Sequence, residues 1–189
     1  MGQVIVKMRK TVYFITGNKS KFKEAKLILN GHINLVQKDL KLNETRTLDQ
    51  EQVVLEKAKQ AFQKLKKPVL VDDTGIYFEA YKNFPGTYTK TLFQSLGFKG
   101  VERLLNGNRK AQFKTLVCYT DGKNTKVFSG VWKGKIARKI SRMFNPDWEY
   151  NSIFIPAGCK RPLSEISFSE RSKKSHRRKA FNKLMRHLK

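Results

Sequence analysis

The sequence predicts an α/β fold built on a mixed β-sheet. Three observations carry this. Apolar runs of strand length alternate with helical patterns in the order β-α-β-α-β through the first 71 residues. Two further strand-like runs follow, joined by the turn Asp121-Gly122-Lys123, a hairpin signal. The composition, 39% apolar with 13 Phe, 6 Tyr and 2 Trp, suffices for a core in a chain of 189 residues. No repeat or low-complexity linker interrupts it, so residues 1–189 read as one domain that includes the basic C-terminal helix.

Each element has its own signal. Residues 11–16 read as a strand, and residues 20–29 as a helix with Phe22, Ala25, Leu27, Ile28 and Leu29 at its apolar positions. Asn30-Gly31 stops that helix. Residues 33–37 form a second short strand, and residues 39–49 are polar and loop-like. Residues 50–66 are an amphipathic helix with Val53, Val54, Leu55, Ala58, Ala61, Phe62 and Leu65 at helical spacing, broken by Pro68. Val69-Leu70-Val71 is a buried strand whose end carries Asp72-Asp73-Thr74-Gly75. Residues 83–88 are a turn-rich loop, and residues 89–105 are helical in two pieces around Gly97. Residues 113–120 and 125–133 are the hairpin strands, and residues 148–156 contain one more strand. Residues 177–188 close the chain as a helix with Ala180, Phe181, Leu184 and Leu188 on one face.

Charge is the unusual property. Forty Lys and Arg against fifteen Asp and Glu give +25. Nine basic and no acidic residues fall within 171–189, and five basic residues within 133–142. This attracts polyanions, nucleic acid among them, and equally a small polyphosphate. It also fits a lysine-rich solvated surface. The run 173–179 resembles a nuclear-import patch. No apolar stretch approaches the roughly 20 residues of a membrane helix. The opening segment lacks a signal-like apolar region, and Val6 breaks the myristoylation pattern after Met1-Gly2. Cys118 and Cys159 suggest no disulfide framework and a reducing, cytoplasmic setting.

Three places carry candidate chemistry. Thr16-Gly17-Asn18-Lys19-Ser20-Lys21 joins a strand to a helix N-terminus, where free N–H groups and the helix dipole attract a phosphate. Asp72 and Asp73 follow a buried strand. Neighbours in a strand point to opposite faces, so one of them faces a given cleft unless the strand bends. A carboxylate facing phosphates fits a hard cation such as Mg²⁺ between them, and the same run also fits a capped turn. Ser175-His176-Arg177 opens the last helix, with Ser175 as N-cap and His176 and Arg177 as donors.

Together these motifs resemble the inosine triphosphate pyrophosphatase family. The phosphate loop stands at residues 16–21, the Asp-Asp-Thr-Gly signature at 72–75, and Pro85-Gly86-Thr87-Tyr88 with Lys90 follows. The hairpin glycine pattern is Phe128, Gly130, Gly134 and Ile136, and Ser-His-Arg stands at 175–177. The resemblance implies a long, bent mixed sheet in two lobes around a nucleotide cleft. It also implies a homodimer that hydrolyses ITP, dITP and XTP to the monophosphate and pyrophosphate with Mg²⁺ or Mn²⁺. Thr16, Gly17, Asn18, Lys19, Ser20 and Lys21 would cradle phosphates, Lys57 would reach the triphosphate, and Thr74 and Lys90 would contact the nucleotide. Glu44 and Asp73 would bind metal. Asp73 would accept the proton of the attacking water, with Asp72 and Lys21 beside it. Trp148 and Tyr150 would stack on the base, and Asn151, Arg171, His176 and Arg177 would read it.

The chain departs from the family in Trp148-Glu149-Tyr150-Asn151-Ser152, where the family has Gly, Asp and Pro at the positions of Glu149, Asn151 and Ser152. Arg171 replaces a lysine. A carboxylate only accepts hydrogen bonds and suits the N1–H of hypoxanthine or xanthine, whereas Asn also donates. Asn151 therefore points to relaxed or redirected base selectivity, with 6-amino purines as the direction its donor capacity opens. A nucleic-acid-binding protein on the same fold is the competing reading, from the +25 charge.

Overall fold

The computed structural model describes residues 9–105, 107–144 and 146–188. The opening segment assessed above for signal and lipid-attachment patterns lies, through Met8, outside the described residues. The fold is α/β, a seven-stranded mixed sheet in the order β2-β1-β3-β5-β6-β7, with short β4 on β3. Its strands are β1 (Thr11–Ile15), β2 (Asn34–Lys38), β3 (Val69–Phe78), β4 (Pro85–Gly86), β5 (Lys110–Thr120), β6 (Thr125–Ile136) and β7 (Phe154–Pro156). β1 pairs in parallel with β2 and β3, and the remaining pairs are antiparallel. The helices are α1 (Lys19–Leu29), α2 (Gln50–Leu65), α3 (Thr89–Leu105), α4 (Phe168–Lys174) and α5 (His176–His187). No helix among the described residues is long and apolar enough to cross a membrane.

Strand alternation sorts the core onto two faces. Val12 and Phe14 of β1, Leu70 of β3 and Val117 of β5 pack under α1 and α5, where Phe14 meets Phe181 edge-on at 6.0 Å. Ile15, Val69, Val71, Leu116 and Cys118 point the other way and pack under Val54, Ala58 and Ala61 of α2. Burial pushes the Cys118 thiol up to about 12, so it behaves as a small core residue. At the far end Ile76, Phe78, Phe113 and Trp132 make a third cluster with α3 and with Tyr150, Ile153 and Phe154. The α1/α5 lobe and this third cluster flank a cleft floored by the sheet.

Local capping holds the helices. Asn18 accepts from the Lys21 N–H to start α1, Asp49 accepts from Glu51 and Gln52 to start α2, and Ser175 accepts from Arg178 to start α5. α3 is two pieces, as its sequence suggests, because Gly97 holds φ at +60°. One reading changes. The strand of 69–71 does not end at the paired aspartates, because β3 runs ten residues and pairs with β5 throughout. The further strand expected within residues 148–156 is Phe154–Pro156, after a 3₁₀ segment at Pro146–Ser152. α4, a short helix in a basic run without an apolar stripe, carried no periodic signal.

The hairpin glycines are explained by close approach. A Cβ on Gly130 would lie 2.0 Å from the carbonyl oxygen of His176 and 2.6 Å from the backbone nitrogen of Ala180. Only a bare backbone lets α5 lie on β6. Gly130→Ala should lift the start of α5 and lower stability by about 1–3 kcal/mol, read from denaturant unfolding. An unchanged midpoint would contradict that packing.

Candidate functional site

β3 outruns its parallel neighbour. β1 meets it only at Val69 and Leu70, and β4 joins the same edge at Ile76 and Tyr77. The stretch between them contains Asp72, Asp73 and Thr74, and the loop leaving β1 crosses beside it. Such a gap at the carboxyl end of a parallel strand is where open α/β sheets leave room for ligands.

On the α1/α5 face, Asp72 is clamped. Lys21 Nζ reaches its Oδ1 at 3.1 Å and Arg177 Nε its Oδ2 at 3.1 Å. Only 1% of the Asp72 side chain and 6% of the Arg177 side chain meet solvent. Burial alone would raise the Asp72 pKa, but the charges of Lys21 and Arg177 overcome it and hold it below the usual carboxylate value. Arg177 also donates to Glu24 at 2.6 Å and to Thr74 Oγ1 at 3.2 Å, and Ser175 Oγ donates to Glu24 at 2.5 Å. The network ties α1, β3 and α5 together.

This network forms one wall of a cavity of about 520 Å³ in the cleft. Phe113 and Trp132 line it from the sheet, Trp148 and Asn151 from the segment after β6, and Ser20 and Arg171 from α1 and α4. The Lys21 and Arg177 cations stand 5.8 and 5.7 Å from the Trp148 ring centroid, within cation–π range. His176 stacks on Phe113 at 4.9 Å and 16°. Burial, then the charge of Arg177, pushes its pKa well below the ordinary value, so the ring is neutral near pH 7. Its Nδ1 is buried and unpartnered among the described residues. Aromatic faces, a neutral imidazole and an amide suit a flat heterocycle with polar edges.

On the opposite face Asp73 has different company. Lys57 Nζ from α2 lies 3.7 Å from Asp73 Oδ1 and 3.5 Å from Glu44, whose side chain is 81% exposed. Gln50 Nε2 donates to Asp73 Oδ2 at 3.1 Å. Two carboxylates thus converge on one ammonium beside the strand gap. They are hard oxygen donors already gathered around positive charge, and a divalent cation fits that donor set. Among the described residues no group of three or more His, Cys, Asp or Glu forms a ready-made cage, so further ligands would come from water and substrate.

The loop at residues 16–21 leads from β1 into the start of α1. Thr16 Oγ1 accepts from the Asn18 N–H at 3.1 Å and Asn18 Oδ1 from the Lys21 N–H at 2.9 Å. The N–H groups of Lys19 and Ser20, in the first turn, remain for an anion. At Gly17 an added Cβ would crowd the Asp39 carboxylate at 2.8 Å.

Three sequence expectations are corrected. Tyr150 does not reach the cavity: it is 3% exposed, with its ring 5.1 Å from Phe93 and 6.3 Å from Phe78. The 3₁₀ segment is kinked at Trp148, whose backbone is non-helical (φ −148°, ψ 61°), and across this kink Trp148 takes the cavity and Tyr150 the core. Thr74 Oγ1 is occupied within the protein, 2.7 Å from Thr115 Oγ1 and accepting from Arg177. Lys90 is exposed on the first turn of α3 and is not in the cavity wall. Conversely, sequence reasoning missed Glu24 and Gln50. Glu24 had a signal, a lone acid among the lysines of α1. Gln50, a neutral amide in the first turn of α2, had no signal that set it apart.

The comparisons with known proteins agree over nearly the whole chain. The model of the Ham1 family matches residues 12–187. A dITP/XTP pyrophosphatase of Saccharolobus solfataricus is 37% identical over 177 residues, covering 92% of this chain and 91% of that protein. The inosine triphosphate pyrophosphatase of Pyricularia oryzae is 36% identical over 181 residues, covering 93% and 92%. The Ham1 protein of Staphylococcus aureus superposes with a TM-score of 0.76 at 26% identity, covering 95% of this chain and 98% of that one. Matched by that family model and by these relatives over nearly its whole length, this chain belongs to the Ham1 family.

Proposed function

We infer that this protein is a nucleoside triphosphate pyrophosphatase that hydrolyses non-canonical purine nucleotides, ITP, dITP and XTP, to the monophosphate and pyrophosphate. The carrying observation is the gap along β3, where Asp72 on one face is held by Lys21 and Arg177 of the aromatic cavity wall and Asp73 on the other lies beside Lys57 and Glu44. The relatives named for dITP, XTP and ITP hydrolysis supply the substrate class. The same reading carries a homodimer and a pool-cleaning role in the cytoplasm.

The base enters the cavity against Trp148, with Asn151, Arg171, His176 and Arg177 at its edges. The phosphates run to the gap, where Lys21, Lys57 and the first N–H groups of α1 spread their charge. Family membership implies a divalent metal cofactor, and Mg²⁺ held by Asp73 and Glu44 is the reading of the hard donor set. When bound it neutralises charge on the phosphates and on the leaving pyrophosphate. Asp73 takes a proton from a water whose oxygen bonds to the α-phosphorus, while the bond from that phosphorus to the bridging oxygen breaks and pyrophosphate departs. Asp72 stays out of the proton transfer: both its oxygens are bound by cations, and its work is to hold Lys21 and Arg177 in place.

Asn151 favours a second reading of the base. It lines the cavity, and an amide can donate where a carboxylate cannot. Pyrophosphate release from ITP, XTP, dITP, ATP and GTP tests both points. Asp73→Asn should abolish turnover of every substrate, by at least about 10²-fold, with the fold intact. Asn151→Asp should raise kcat/KM for ITP over ATP by about tenfold or more. Full activity of Asp73→Asn would end the catalytic reading, and an unchanged ITP/ATP ratio would end the selectivity reading.

A nucleic-acid partner has its own observation. Lys110 stands directly opposite Lys135 across β5 and β6, and with Lys82 and Lys133 they line a groove of about 700 Å³ on the bare sheet face. Glu79 pairs with Lys110 at 3.2 Å, and Lys82, Lys133 and Lys135 give the groove its excess positive charge, which suits a polyanion. Oligonucleotide binding measured by fluorescence anisotropy should fall steeply with salt and weaken in Lys133→Glu/Lys135→Glu. Binding unaffected by those changes would remove this partner.

A further inference from the structure

Gln50, the first residue of α2, is 3% exposed, and its amide fits its surroundings in one orientation. Nε2 faces only acceptors: Asp73 Oδ2 at 3.1 Å, the Asp73 carbonyl at 3.3 Å and the Lys114 carbonyl at 3.3 Å. Oε1 faces a donor, the Tyr77 hydroxyl, at 2.9 Å. An amide turned the other way would set its oxygen against three oxygens. Tyr77 keeps the proton this needs. Burial, then the charges of Asp73 and Asp49, pushes its hydroxyl pKa above the ordinary value.

The consequence falls on Asp73. With Oδ2 tied to Gln50, Oδ1 is the oxygen turned toward Lys57, which also meets Glu44. We propose that Gln50, locked by Tyr77, is a positioning residue that fixes the Asp73 carboxylate so that one oxygen faces the metal-holding side of the site. The proposal rests on the reading of Asp73 as a metal ligand. Second partners of this kind set ligand orientation, and their loss typically weakens metal binding or activity by about 10–100-fold. A purely structural Gln50, satisfying the Lys114 carbonyl, would affect stability without affecting metal affinity.

Mn²⁺ binding to the whole protein, read from the electron paramagnetic resonance signal of the free ion, separates these roles. Wild type, Gln50→Leu, Tyr77→Phe and Asp73→Asn are compared, with kcat and KM for ITP and the unfolding midpoint of each. Gln50→Leu should bind Mn²⁺ about tenfold more weakly and lose kcat with little change in the KM for ITP. Tyr77→Phe removes a single oxygen and should shift both in the same direction by less, at a near-native midpoint. Wild-type Mn²⁺ affinity in both variants, with Asp73→Asn impaired, overturns the positioning role and leaves the metal reading standing. Wild-type affinity in Asp73→Asn as well overturns the metal reading beneath it.

Discussion

A carboxylate buried as deeply as Asp72 is unfavourable unless cations surround it, and here two do. Lys21 comes from α1 and Arg177 from α5, so satisfying one side chain of β3 fixes where both helices begin. Glu24 balances the remaining charge of Arg177, and Ser175 both caps α5 and bonds Glu24. Because α1 starts at the phosphate loop and α5 at His176, this contact sets the spacing of the two ends of the cleft. Gly130 lets α5 come close enough to β6 for Arg177 to reach the strand.

The alternation of an ordinary strand then divides the labour. Asp72 and Asp73 are neighbours in sequence and lie on opposite faces, one among fixed cations and one beside Lys57, Glu44 and Gln50. The site can use both faces because β1 ends before β3 does and β4 begins later, which leaves the edge open at these two residues. The lysine-rich composition adds to this in a specific way at the C-terminus. Lys179 and Lys183 lie across β6 on the Val131 carbonyl and Ser129, so part of the basic tail is folded onto the sheet.

Much of this was legible in the sequence. The capped start of α1, the amphipathic α2, the hairpin and the break at Gly97 follow from local patterns, and local patterns are what a sequence displays directly. Asp72-Asp73-Thr74-Gly75 misled, because those residue types favour turns. Ten consecutive pairings with β5 override that preference, a tertiary effect invisible from one segment. Tyr150 misled for a related reason. An aromatic two residues from Trp148 reads as a second stacking ring until the backbone kink at Trp148 sends the two apart. The partners of Arg177 and the enclosure of Gln50 come from residues more than 20 positions away in every case, and no spacing rule reaches that far.

The buried pairing of Asp72 with Arg177 is the central claim, and a double-mutant cycle measures it. Chemical unfolding of wild type, Asp72→Asn, Arg177→Met and the double variant gives the coupling free energy. Asp72→Asn alone should lose about 3–5 kcal/mol, because it leaves Arg177 buried with one partner fewer. The double variant should lose less than the sum of the two single losses, by about 1–3 kcal/mol. Additive losses, or an Asp72→Asn protein as stable as wild type, would contradict the claim that this contact holds the helices and the cleft in place.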